Sequence, residues 1–254
     1  MFDTTGQISI VQLAFFSVAI WPAFYCLIKH GKHGLLGWIF ICLFCTIRIV
    51  GAGIIIGDES GDKPLSEGGL ILSAVAIAPL VISVGGIAHE SYNSLKDHRS
   101  ILFGSIPHVL VHLGCMGAIA LLVIGYTKFE TASSTANDMK TGLDIIRVGG
   151  VILLVVWVGI AVITMVSLLY PRKLYGERQL IRGVVVGLIA LLIRILYTLL
   201  GSLINSTSFN PKTGGTVAEK IVLDVLPEIV LVFALIAAGI ASRNLKYERR
   251  PPIS

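Results

Sequence analysis

Seven apolar stretches, at 8–28, 35–57, 68–88, 101–126, 148–170, 183–204 and 221–242, leave room for little else in this 254-residue chain. Each holds 21–26 residues. At about 1.5 Å per residue a helix of that length crosses a hydrocarbon core of about 30 Å. In lipid the backbone has no water to bond, so such segments must be helical. The pattern predicts an all-α, polytopic bundle of seven transmembrane helices forming one domain over 1–254.

The charges between the stretches alternate in character. The 28–34, 89–100 and 171–182 connections and the tail from 243 carry 12 Lys/Arg against 4 Asp/Glu, a net +8. The first seven residues and the 58–67, 127–147 and 205–220 connections carry 6 against 9, a net −3. Positive loops stay in the cytosol, which predicts a lumenal or outside N-terminus and a cytosolic C-terminus. The basic loops also suit contact with anionic lipid, each Lys or Arg near the surface contributing about 1 kcal/mol.

With 55% hydrophobic and 14% charged residues, the chain has no material for a separate soluble domain. The cations are spread over four loops without an aromatic platform, which excludes a nucleic-acid partner. The first stretch is preceded by Asp3 and no Lys or Arg, and it is too long for a signal core; it reads as a retained first helix. Asn205-Ser206-Thr207 is a glycosylation sequon on the side expected to be lumenal. Cys26, Cys42, Cys45 and Cys115 lie within apolar stretches and read as small core residues, without the polar surroundings that a redox pair needs. The acidic turn around Asp58, Glu59, Asp62 and Glu67 is too short for a calcium loop, with its glycine misplaced. Pro79 and Pro227 each remove a backbone donor inside a stretch, which is tolerable beside protein or a wet cavity. Gly183 and Gly187, Gly149-Gly150 and Gly85-Gly86 are suited to close helix packing.

Four charges remain, Arg48, Arg194, Asp224 and Glu228, all inside apolar stretches and summing to zero. Counted from the stretch ends, they lie roughly 5–15 Å below the same, lumenal, boundary. A lone charge there costs about 2.5–3.5 kcal/mol on insertion scales, so two cations and two anions at one depth are expected to face one another. Asp224 and Glu228 are four apart and share a helix face. Arg194 and Tyr197 fall on a stripe of small and polar residues with Gly183, Gly187, Ala190 and Gly201. One reading is an ion-pair network that fixes helix register. The other is a polar focus at the floor of a cavity, favoured by Pro227 next to Glu228.

All six histidines fall in the half expected to face the cytosol. His108 and His112 are four apart, with His89 or Glu90 as a third candidate ligand. That spacing arises easily by chance, and hydrogen bonding at the interface is the simpler reading; no metal is expected. No phosphate-binding loop, nucleophile elbow or dinucleotide fingerprint occurs, and no cofactor is expected.

The segments Arg194-Ile195-Leu196-Tyr197 and Pro227-Glu228, in the sixth and seventh stretches, resemble a family of uncharacterised fungal seven-helix integral membrane proteins, over about 8–245. In size, topology and a carboxylate in the last helix, the chain is also similar to the fungal membrane-bound terpene cyclases of meroterpenoid pathways. That resemblance implies an enzyme that protonates an epoxide or olefin of a prenylated substrate, with Glu228 or Asp224 as the acid. An earlier acid of those cyclases has loose counterparts in Asp58, Glu59 or Glu67.

The function expected is therefore a membrane-embedded, terpene-cyclase-like isomerase or lyase of secondary metabolism. Glu228 and Asp224 would be its acids, Tyr197 a stabilising neighbour, and Arg48 and Arg194 the groups that orient acid or substrate. Its partners would be a lipophilic small molecule and membrane lipid, in the endoplasmic reticulum rather than the plasma membrane. The alternative is a non-enzymatic small-molecule receptor or transporter-like protein, against which stand the short cytosolic loops and the lack of an inverted repeat. A metal-dependent lipid hydrolase would want paired histidines in the last helix, which are missing.

Overall fold

Our computed structural model describes residues 4–61, 67–92, 95, 105–130, 136–172, 174–203 and 217–245, and among them there is no β-strand. The chain runs through α1 (Thr4–His30), a short 3₁₀ turn (Gly31–His33) and α2 (Leu35–Ser60). It continues through α3 (Glu67–Val75), α4 (Ile77–Ser91), α5 (Ser105–Glu130), α6 (Ala136–Leu168) and α7 (Tyr175–Leu203). The last helix, α8, covers Val217–Ala241. Six of these, all but α3 and α4, are long and apolar enough to cross a membrane.

Two expectations about the elements are corrected. The stretch 68–88 is not one helix but two, α3 and α4, meeting at Ala76. Pro79 supplies the reason: it has no N–H for the carbonyl of Val75, where α3 ends. Most of the 127–147 connection is helix rather than loop, because α5 runs on to Glu130 and α6 covers the residues from Ala136. Its charges therefore ride on helix ends. Arg147, one of them, donates from Nε to the carbonyl of Ser202 at 2.8 Å and from Nη1 to Asp144 at 2.7 Å. It thereby gives a donor to a carbonyl in the last described turn of α7.

At the centre stands α4. Every residue from Ile77 to Ala88 is buried, so this helix has no lipid-facing side. It packs against α2, α5, α6 and α7, while α8 closes the bundle against α7 and α1. Close approach requires small residues. A Cβ placed on Gly86 would lie 2.6 Å from the backbone nitrogen of Gly37, so α2 and α4 cross almost backbone to backbone. Gly183 does the same for α7 and α8, its absent Cβ falling 2.5 Å from that of Ala238. The outer surface is the reverse of a soluble protein's: Val18, Trp21 and Phe233 are each more than 65% exposed. In water such a surface would aggregate; in a bilayer it is the lipid contact.

At the other end of α4, Arg172 in the connection between α6 and α7 donates to the carbonyl of Ser91 and, at 2.8 Å, to the hydroxyl of Ser167. Burial lowers the Arg172 pKa from its ordinary value, while Glu177 and Tyr92 act against that shift. The clamp ties the end of α4 to the end of α6.

Candidate functional site

Three helices deliver the charges. On α2 the buried positions Ile41, Phe44, Cys45, Arg48, Gly51, Ala52 and Ile55 repeat every three or four residues, which points Arg48 inward. On α7 the same period through Gly187, Leu191, Arg194 and Ile195 does so for Arg194. On α8, Val225, Glu228, Leu231, Val232 and Leu235 form the inner face.

The structure brings Arg48, Arg194, Asp224 and Glu228 into one cluster. Glu228 Oε1 accepts from Arg48 Nη2 and, at 3.0 Å, from Arg194 Nε. Asp224 Oδ1 lies 2.8 Å from Arg194 Nε and 3.5 Å from Arg48 Nη2. Each carboxylate thus faces both guanidiniums. Arg194 also donates to Thr198 Oγ1 at 2.7 Å, and the Arg48 guanidinium stands 5.8 Å from the Phe44 ring centre. Glu228 is fully buried, Arg48 and Arg194 nearly so, and Asp224 is 24% exposed. Three buried side-chain atoms of the quartet, Arg48 Nε, Asp224 Oδ1 and Glu228 Oε2, have no hydrogen-bond partner among the described residues, although Asp224 Oδ1 is ion-paired with Arg194.

The backbone of α8 is distorted at this point. Lys220–Val225 form a π-helical turn, with the Leu226 N–H donating to the carbonyl of Ile221, five residues back. Pro227, which cannot donate, follows at once. A wide turn of this kind appears frequently at functional sites. On a neighbouring face of α8, Val217, Ile221, Val225 and Ile229 line an apolar groove of about 280 Å³, closed on the far side by Gln7, Ile8 and Val11 of α1.

Of the other candidates, Tyr197 is half-buried on α7, three residues beyond Arg194. The sequon at Asn205 lies outside the described residues. Glu59 ends α2 against α1, where its Oε2 stands 2.0 Å from a Cβ placed on Gly6. The side chains of His108 and Glu67 are outside what is described, as is Asp62. His112 faces the Phe40 ring at 5.7 Å and His89 the Tyr92 ring at 5.6 Å. No group of three His, Cys, Asp or Glu that could hold a metal occurs among the described residues. The four cysteines are free thiols, and Cys42 is only half-buried.

A second buried polar cluster was not anticipated. His30, at the end of α1, meets Glu90 Oε1 of α4 through Nδ1 at 2.8 Å and the carbonyl of Gly239 of α8 through Nε2 at 3.0 Å. Trp38 Nε1 of α2 donates to Glu90 Oε2 at 3.2 Å. A carbonyl only accepts, so Nε2 carries a proton, and the Nδ1–Oε1 contact holds one more. Sequence reasoning missed the cluster because the apolar stretches ended at 28 and 88, leaving His30 and Glu90 counted as loop residues. The signal that was there is the run Cys26, His30 and Gly34 at helical spacing, with glycines where bulk would collide: a Cβ on Gly34 would lie 2.4 Å from Glu90 Oε2.

Six spanning-length apolar helices around a charge-balanced, buried polar centre define a multi-pass membrane protein with a polar focus inside its bundle. The chain belongs to the family described as Domain of unknown function (DUF7702), which it matches over residues 2–245. No curated protein and no solved structure matches it.

Proposed function

We propose that this chain is a seven-span protein of the endoplasmic reticulum membrane, with a lumenal N-terminus and a cytosolic C-terminus, that acts on a lipophilic, prenylated small molecule at the quartet. In this reading α3 and α4 together make the seventh crossing. The chemistry is that of an acid-initiated isomerase or lyase resembling the terpene cyclases. One observation carries it: Glu228 offers Oε1 to both guanidiniums, while Oε2 has no hydrogen-bond partner among the described residues. A proton held by Glu228 would therefore sit on Oε2, free to be donated. Its transfer to an epoxide oxygen or an olefin carbon leaves the positive charge on the substrate and a carboxylate on the enzyme. Arg48 and Arg194 already touch that carboxylate, so they stabilise the charge that develops there. Loss of a proton from the cyclised cation completes an isomerisation with no cofactor. Tyr197 and the surrounding apolar helices would serve to stabilise the cation and exclude water.

A receptor or transporter-like reading is favoured by a different feature. Both carboxylates face both guanidiniums, so the pairs can be exchanged without stranding a charge. That is the kind of two-state element on which a ligand-driven rearrangement depends.

Expression in a clean host with epoxy-prenyl substrates, followed by product analysis, separates the two. Glu228→Gln matches the protonated acid in shape but cannot deliver its proton. It should insert and melt nearly like the parent while turnover falls by roughly 10²-fold or more, with Asp224→Asn milder. A fully active Glu228→Gln protein would remove Glu228 from the chemistry. A parent that forms no product from any of these substrates would favour the receptor or transporter reading.

A further inference from the structure

We propose that the quartet takes a neutral hydroxyl group, the polar end of a lipophilic alcohol, between Arg48 Nε and Glu228 Oε2. The prenyl character of its chain rests on the function proposed above; the hydroxyl does not. The two atoms belong to a hydrogen-bonded pair, Arg48 Nη2 to Glu228 Oε1, and each is buried without a hydrogen-bond partner among the described residues. Asp224 Oδ1 lacks a hydrogen bond as well, but it lies 2.8 Å from Arg194 Nε, whose charge it meets directly. Arg48 Nε is a donor only, and Oε2 is an acceptor while Glu228 is ionised, the state in which the quartet is neutral and no proton is being delivered. Buried polar groups are rarely left in that state, because each costs about as much as the hydrogen bond it lacks.

Charge selects what can satisfy them. The four side chains sum to zero, so a bound cation or anion would unbalance a site that is almost wholly removed from water. An anion on Arg48 Nε would also face Glu228 and Asp224, and a cation on Oε2 would face two guanidiniums. A neutral group that accepts from Nε and donates to Oε2 meets both demands, and a hydroxyl does so with a single oxygen. Methyl ethers accept but cannot donate, and hydrocarbons do neither.

The rest of such a molecule has a seat nearby. Asp224 and Glu228 are followed directly by Val225 and Ile229, which line the apolar groove against α1. Consecutive helix residues point about 100° apart, so groove and quartet occupy adjoining faces of α8. The groove's rim residues Val11, Val217, Ile221 and Leu226 are all exposed, on helices of spanning length. It is open to the bilayer, from which a lipophilic alcohol would arrive.

Binding of farnesol, farnesyl methyl ether and farnesene to the full-length protein in nanodiscs tests this, read by thermal unfolding and by competition. Farnesol should bind at least about tenfold more tightly than either of the others, the scale of a hydrogen bond to a charged group. Arg48→Lys keeps the charge balance but removes Nε, and should abolish that preference while leaving the weak hydrocarbon binding intact. Equal binding of the three probes by the parent protein would overturn the inference, water alone then filling the site; that comparison needs no variant. An Arg48→Lys protein that keeps the preference would overturn it too. Because no turnover is read, bound farnesol without product from any substrate would refute the enzyme and leave the hydroxyl site standing. An active enzyme that cannot tell the alcohol from its ether would do the reverse.

Discussion

Removing Glu228 leaves two guanidiniums with Asp224 as their one carboxylate among the four grouped charges. Breaking a buried pair from one side costs about 3–5 kcal/mol, so Glu228→Ala should lower detergent stability by that order. Arg194→Ala made in that background should then cost at least about 1 kcal/mol less than it does alone, because one of its two carboxylate partners has already gone. Strictly additive losses in thermal unfolding would show that the two side chains do not act on each other. That the four charges meet was legible from residue type and depth alone, since each would be costly by itself in an apolar stretch. The His30–Glu90–Trp38 cluster was not. Its members sit at helix ends, where charge is ordinary, and its third contact is a backbone carbonyl, which no side-chain pattern announces.

Among the elements, the helices were readable from length and hydropathy, and their ends were not. A run of apolar residues says where lipid contact begins, but a helix continues past it for as long as its hydrogen bonds are met. That is why α6 starts at Ala136, well before the apolar stretch at 148. The break at Ala76 and the π-turn at Lys220–Val225 both trace to prolines whose disruptive effect was foreseen, although the form it would take was not. Crossings set by glycine are testable directly. A side chain on Gly86 would strike the backbone of Gly37, so Gly86→Val should destabilise the bundle by about 1–3 kcal/mol or more. Gly53, also on α2, has nothing within 4 Å of the corresponding point, and Gly53→Ala should leave the melting temperature unchanged or raise it. Equal effects at the two sites would mean that α2 and α4 do not cross so closely.

At the scale of the molecule, loop charge sets the expected orientation. In a cysteine-free background, a single cysteine at Ser60 should be labelled by an impermeant thiol reagent from the lumenal side alone. One at Arg243 should react from the cytosol alone. The opposite pattern would invert the molecule and put the quartet in the cytosolic half, while leaving its internal geometry intact.

The burial of α4 has a consequence for how the protein is made. At fifteen residues it is short for a bilayer crossing, and from Ile77 to Ala88 it has no face that lipid could cover. Its α7 contacts come from a segment synthesised about a hundred residues later. While the ribosome is still adding α5 and α6, α4 has only part of its shell: the Gly86 notch can close on α2, which is already made, but the Arg172 clamp and the α7 face must wait. The burial of α4 should therefore be completed late, when α7 is in place, and not in the order in which the helices are made. In a series of ribosome-stalled chains, a probe on α4 should gain protection abruptly once α7 has left the exit tunnel, and not when α4 itself emerges.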